Sequence, residues 1–117
     1  MYVKGGTVNI PSDSAITTAS IELEAGVYLL LGSVRWNAKN TNGYRIIGIS
    51  GSENTNPLSG GYCSAMNPID SSYVSQEFTT VRHLGKKTTL YLNVFQNSGS
   101  SLSLEWNQIN AYRLSID

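Results

Sequence analysis

The chain has one histidine, His83, and one cysteine, Cys63, so acid–base or nucleophilic chemistry has few places to start. Nucleophilic catalysis needs a nucleophile, a base within hydrogen-bond reach and a group that orients the base. Cys63 and His83 could form a dyad only if the fold brought them together. His83 stands between Arg82 and Leu84 in a β-rich run and reads as an ordinary strand residue. Serine is abundant, yet no Gly-x-Ser-x-Gly elbow occurs, and Ser59-Gly60-Gly61 lacks the lysine of a phosphate loop. Zinc wants His or Cys ligands in pairs at fixed spacing, which this sequence does not supply. Calcium wants several oxygen ligands close together. Glu22 and Glu24 share a strand face and Asp70 sits among Asn and Ser, but neither pattern is a calcium loop. No carboxylate pair is singled out for glycoside hydrolysis. The expectation is a non-enzymatic chain with no catalytic residue, no metal and no cofactor.

Binding is the chemistry that remains. The polar stretch Gly51–Ser72 carries Asn54, Asn56, Tyr62, Asn67 and Asp70, and Tyr73 follows directly. Amides and carboxylates pair with hydroxyls, and aromatic rings stack on the apolar faces of sugars. Loops on a rigid scaffold often carry recognition. These six residues are the candidate ligand loop, with a host-surface glycan or protein receptor as the partner. Trp36 and Trp106 could also stack on sugars, but each continues an apolar strand face and is expected in a core or interface.

The elements that position these residues are strands. Length and composition bound the rest: 117 residues, expected as one domain (1–117), with 14% charged, 40% hydrophobic and a formal net charge of zero. Ser, Thr and Asn fill about a third of the chain, above ordinary usage. Phosphate binding needs clustered Lys and Arg, so no nucleic acid is expected. The longest apolar run, Val27–Leu31, is far short of a membrane span, so no membrane insertion is expected. One cysteine excludes an internal disulfide, and a free buried thiol is the simpler reading. A small domain without net charge has weak protection against association, which hints at an assembled protein.

Gly, Asn and Ser punctuate the chain too often for long helices. β-rich runs alternate with turn residues at the spacing of an all-β sandwich. The runs are Tyr2–Ile10, Ala15–Leu23, Val27–Asn37, Tyr44–Ser50, a short edge strand Tyr62–Met66, Tyr73–Leu84, Thr88–Asn97, Leu102–Trp106 and Ile109–Ile116. Turns are expected at Asn42-Gly43, where Gly suits positive φ, at Asn67-Pro68 and at Asn107-Gln108. Eight to ten strands fill the chain.

Alternation assigns faces. Leu90, Leu92 and Val94 share one; so do Leu102, Leu104 and Trp106, and Tyr112, Leu114 and Ile116. Such strands place one face on a core and the other in water. The run from Val27 breaks the rule. Tyr28, Leu30, Gly32, Val34 and Trp36 form one face, while Val27, Leu29 and Leu31 make the start of the other apolar too. Wetting two leucines and a valine would forfeit several kcal/mol, at about 25 cal/mol per Å². The second apolar face is read as a subunit contact rather than the seat of a covering loop. Tyr91 and Phe95, opposite Leu90 and Leu92, make another such face.

Glu24-Ala25-Gly26-Val27-Tyr28-Leu29-Leu30 resembles the Gly-x-Tyr-x-(Phe/Leu) strand of jelly-roll domains of the C1q and tumour-necrosis-factor type. The downstream order is also similar: a Leu84-Gly85-Lys86 turn, the strand Thr88–Asn97, then Gln96-Asn97-Ser98-Gly99, then a closing strand with Tyr112. From about Ile16 to Ile116 the pattern resembles bacterial and bacteriophage relatives of that superfamily, which sit at the ends of tail fibres, baseplate proteins and collagen-like surface proteins. The resemblance implies an all-β, ten-strand jelly roll of two antiparallel sheets that assembles as a homotrimer. Its interface would comprise Val27, Leu29, Leu31, Tyr91, Phe95 and Tyr112, with Leu29 and Leu31 at the threefold axis and Tyr91 and Tyr112 beside them. It places the protein on a virion, such as a phage tail, or on a bacterial surface, among other fibre or baseplate proteins. Two positions depart from the pattern. Leu30 replaces the usual aromatic, and Lys86 and Lys87 replace an acidic residue, which counts against a family calcium site. A monomeric carbohydrate-binding module of a bacterial enzyme is the competing reading, with a hydrolytic domain third.

Overall fold

In strand β4 (Gly26–Asn37) the side chains of Tyr28, Leu30, Val34 and Trp36 are all buried, at every second position, as a pleated strand on a core requires. The computed structural model describes residues 2–37, 42–60, 63–66 and 73–116. The other elements are β1 (Tyr2–Gly5), β2 (Val8–Ile10), β3 (Ile16–Leu23), β5 (Arg45–Ser50), a 3-10 turn (Pro57–Gly60), β6 (Cys63–Met66), β7 (Tyr73–Leu84), β8 (Thr88–Gln96) and β9 (Leu102–Ser115).

They form two antiparallel sheets. One runs β1-β9-β4-β7, with β2 also on β9; the other runs β3-β8-β5-β6. Apart from β1 and β2, which both lie on β9, and the β5–β6 pair, chain neighbours sit in different sheets, so the chain winds back and forth between the layers. That connectivity is the double-sheet jelly roll, the fold expected from the sequence. The core lies between the layers, where Leu30, Trp36 and Ile109 of the first sheet meet Ile47, Leu90 and Leu92 of the second. Arg45 is buried there too, with its guanidinium 5.5 Å from the centre of the Trp36 ring. Desolvation pushes its pKa down from the ordinary arginine value.

Two features of the strands differ from expectation. Tyr2–Ile10 is two strands, β1 and β2, and Asn107-Gln108 is no turn, because β9 runs unbroken through it. One irregularity explains both. Arg35 pairs with Trp106 but Trp36 pairs with Leu104, so Glu105 is an extra residue in β9. Such a bulge bends the strand and inverts its alternation. Before it Leu102 and Leu104 face the core; after it Asn107, Ile109 and Ala111 do. Gly6 and Thr7 lie opposite the bulge, and the pairing of β1 and β2 with β9 is interrupted there. Thr7 Oγ1 donates to Glu105 O at 3.2 Å. Asn107 Nδ2 donates to Gly6 O at 2.9 Å, and Gly5 makes room for it: a Cβ there would lie 2.2 Å from Asn107 Oδ1.

The inverted alternation has a consequence for the last strand. Tyr112, Leu114 and Ile116 are exposed at 54%, 59% and 73%, whereas alternation alone put them on the core and the family resemblance put Tyr112 at a subunit interface. At the turn after β4, Gly43 has φ +69° as expected, and a side chain there would collide with Asn97. The expected turn at Asn67-Pro68 lies outside the described residues.

Candidate functional site

The outer face of the first sheet carries the expected apolar strip. Leu29 of β4 pairs with Val81 on β7 and with Tyr112 on β9. Directly opposite residues share a face, so Tyr112, Leu29 and Val81 make a row across three strands. Leu31, between Thr79 and Asn110, lies beside it, and Val27, between His83 and Ser115, flanks it on the other side. Val81 is 55% exposed, and Val27, Leu29 and Leu31 are half-buried. Farther along β4 the face becomes polar. Ser33 lies between Glu77 and Gln108, and Arg35 Nε meets Glu105 Oε2 at 3.1 Å. The Arg35 guanidinium also lies 4.9 Å from the centre of the Tyr73 ring.

Tyr91 and Phe95 are elsewhere. They belong to β8 in the second sheet, paired with Ser50 and Ile46 of β5. They alternate with the buried Leu90, Leu92 and Val94, so they face away from the core on the far side of the sandwich. The expectation that Tyr91 neighbours Leu29 and Tyr112 is therefore corrected: two layers separate them. The outer face around Phe95 also has its own cover. Ile46 points outward yet is 1% exposed, the 3-10 turn packs on β5, and Tyr44 lies on Phe95 with ring centres 6.2 Å apart. A groove of about 410 Å³ remains there, lined by Tyr44, Ile46, Leu58, Ala65 and Met66. On this side a covering loop, not an open sheet, meets the apolar residues.

The described members of the candidate ligand loop are not gathered into one site. Asn54 has φ +48° and is held by a reciprocal pair of bonds: Thr17 N donates to its Oδ1 at 2.9 Å, and its N donates to Thr17 Oγ1 at 2.8 Å. Asn56 Oδ1 accepts from Leu58 N at 3.0 Å and so caps the 3-10 turn. Tyr73 is 48% exposed on the first sheet, against Arg35. Tyr62, Asn67 and Asp70 lie outside the described residues.

Sequence reading missed a set of buried carboxamides. Gln76, Asn93, Gln96 and Asn107 are each 4% exposed or less. Gln76 Oε1 accepts from Trp36 Nε1 at 3.0 Å, and its Nε2 donates to Arg45 O and Ser64 O at 3.1 and 2.8 Å. It thereby joins the edge of one sheet to the edge of the other. Asn93 Nδ2 donates to Ser50 Oγ and Ser52 O, and Thr17 Oγ1 donates to its Oδ1 at 2.6 Å. Gln96 Nε2 donates to Ile10 O and Ser100 O, and its Oε1 accepts from Ser98 N. Each amide fastens a loop or edge strand to the sandwich. In sequence they are indistinguishable from the many Asn and Gln of turns.

The reactive residues stay apart. Cys63 is half-buried on β6 opposite Gly48, whereas His83 is exposed near the end of β7. β6 meets β7 near Gln76, through Ser64. His83 is seven residues farther, roughly 23 Å at 3.3 Å per residue, so no dyad forms. Glu22 and Glu24 face Lys87, whose Nζ lies 3.4 and 3.8 Å from their carboxylates. Among the described residues no group of three or more His, Cys, Asp or Glu could hold a metal ion. No described helix is long and apolar enough to cross a membrane.

No family model and no curated protein matches the chain. Solved structures do. A structure of infectious bursal disease virus, Gx strain, has a TM-score of 0.60 at 12% identity, over 97% of this chain and 33% of that one. A structure of sacbrood virus of honeybee has a TM-score of 0.50 at 9% identity, over 98% of this chain and 70% of that one. Murine APRIL gives a TM-score of 0.42 at 13% identity, over 88% of this chain and 98% of that one. The chain thus spans about a third of the first protein's length. At these identities the two virus structures establish the shared jelly-roll fold.

Proposed function

We propose that this chain is a non-enzymatic structural domain, residues 1–117, that locks copies of itself into a homotrimer through the outer face of the β4 sheet. It would form the head of a fibre on a virion, such as a phage tail, or on a bacterial surface, and present loops to a host-surface glycan or protein receptor. The observation that carries this reading is the apolar row Tyr112–Leu29–Val81 with Val27, Leu31 and Leu114 around it. An exposed apolar strip on a β face, sharply bounded by an ion-paired polar half, is suited to a protein partner rather than to water. Its backbone is rigid, since β4 is paired on both sides along its length. The likeness to two virus structures supports an assembled, virion-associated role, and the resemblance of the Gly26–Leu30 strand to C1q-type domains supports the threefold arrangement.

Ligand presentation is tested separately. A glycan array probed with the assembled protein should give a signal that Tyr62→Ala with Asn67→Ala lowers. Asn54→Ala should instead lower thermal stability by about 1–2 kcal/mol, because its bonds to Thr17 are internal. An array without signal removes the glycan part of the proposal. Turnover of a glycan, abolished by one carboxylate substitution, would replace the proposal with an enzyme.

A further inference from the structure

We infer that the polar half of the outer β4 face binds a neutral pyranose glycan, with Trp106 as the stacking ring and the Arg35–Glu105 pair gripping the hydroxyls. In the sequence Trp106 continues the apolar face of Leu102 and Leu104. The bulge changes its side. Leu104 and Asn107 are both buried, so the two residues between them, Glu105 and Trp106, lie together on the outer face. β-bulges often re-aim a side chain beside a functional site. Here the re-aimed group is an indole. Trp106 is half-buried and stands directly opposite Arg35 of β4. Trp36, by contrast, is fully buried, with its Nε1 bonded to Gln76.

The groups around Trp106 suit a sugar. Arg35 Nε and Glu105 Oε2 lie 3.1 Å apart, and each side chain is 41% exposed. The Tyr73 ring, 4.9 Å from the guanidinium carbon, steadies the arginine. The pair sets donors and acceptors side by side, an arrangement that neighbouring hydroxyls of one sugar can use together. Its charges cancel. An anionic ligand would have to displace Glu105 and a cationic one Arg35, whereas a neutral polyol displaces neither. Opposite residues on paired strands have Cβ atoms about 5 Å apart, so a pyranose ring lying on Trp106 brings its hydroxyl edge to the pair. Carboxamides flank the ring on this face. Asn9 and Asn37 both pair with Ser103 on one side, and Gln108 lies on the other. The buried carboxamides Gln76, Asn93 and Gln96 are spent on the fold. Among the described residues no hydrogen bond engages the side chains of Asn9, Asn37, Gln108 or Trp106.

This site is distinct from the ligand loop and from the apolar strip. Arg35 is six residues along β4 from Leu29, roughly 20 Å at 3.3 Å per residue. The strip can therefore join copies while this end of the sheet stays open.

Acrylamide quenching of tryptophan fluorescence tests this on the full chain. Of the two tryptophans only Trp106 is open to the quencher. The probes are neutral oligosaccharides, hexaoses of glucose, mannose and galactose among them, with sialyllactose as the anionic arm, each at millimolar concentration. At least one neutral probe should shield Trp106, without changing the mass in sedimentation. Glu105→Gln, which keeps the size of the side chain, should weaken that shielding about tenfold in affinity. Trp106→Ala should weaken retention of the same sugar on a glycan array at least as much. Tyr62→Ala with Asn67→Ala should leave the shielding unchanged. If no neutral probe shields Trp106, or if only sialyllactose does, the proposal is overturned. Shielding that the loop variant abolishes overturns it too, by moving the site to the loop. So does a Trp106 that the assembled native protein already shields without sugar, since a second copy then closes this face. A monomeric chain whose Trp106 is still shielded by a neutral sugar upholds the site while refuting the trimer.

Discussion

Replacing Leu29 and Leu31 together by aspartate should convert the assembled protein to a folded monomer. Both side chains point away from the core and are half-buried in the single chain, so the fold should lose only about 1–2 kcal/mol, an effect enlarged by the poor β preference of Asp. In an assembly the same positions would be enclosed. Fully burying a Leu, Val or Tyr-sized apolar side chain contributes about 1.5–3 kcal/mol, and the strip holds several that are already partly sheltered. An unpaired carboxylate in that contact costs several kcal/mol more. The sum exceeds what a micromolar assembly can lose, since each 1.4 kcal/mol is about tenfold in affinity. Light scattering reads the mass and circular dichroism the fold. An assembly that survives the double substitution unchanged would place the contact elsewhere.

Gln76→Ala should be the most damaging change to the fold itself at a position with no apolar side chain. The amide is 4% exposed and makes three bonds, to Trp36 Nε1, Arg45 O and Ser64 O. Truncation leaves an indole N–H and two carbonyls without this partner in a confined space, and each stranded buried group costs about 1–3 kcal/mol. Because two of the three bonds cross from one sheet to the other, the open side of the sandwich loses its tie. A loss of about 3–5 kcal/mol is expected in urea unfolding, with a fall in melting temperature of roughly 4 °C per kcal/mol for a domain of this size. A loss below about 1 kcal/mol would show that the two sheet edges are held without it.

Much of the fold was legible because alternation is local. The β4 pattern, apolar on both sides from Val27 to Leu31, showed that this strand has two apolar faces, and the structure puts Leu30 in the core and Leu29 on the opposite face. Alternation says whether two residues of one strand share a face. It does not say which sheet the strand joins, because that depends on pairings between residues far apart in the chain. Hence Phe95 and Leu29 read alike in sequence and lie on opposite sides of the sandwich. The β9 bulge was illegible for a related reason. Glu105 is extra only relative to Arg35 and Trp36 of β4, so Asn107-Gln108 looked like a turn and Leu114 and Ile116 looked like core. The polar composition concealed the carboxamides in the same way. Asn93 and Asn97 differ by four positions and both are Asn, yet one is buried as the clamp of the Ser50–Ser52 bend and the other sits at a turn.

The central claim is that this chain exists as copies joined through the β4 face. Sedimentation equilibrium of the native protein at micromolar concentration tests it most directly. The expected mass is that of three chains, three times 12.7 kDa. A stable monomer at that concentration would contradict it and return the apolar strip to the surface of a solitary binding module.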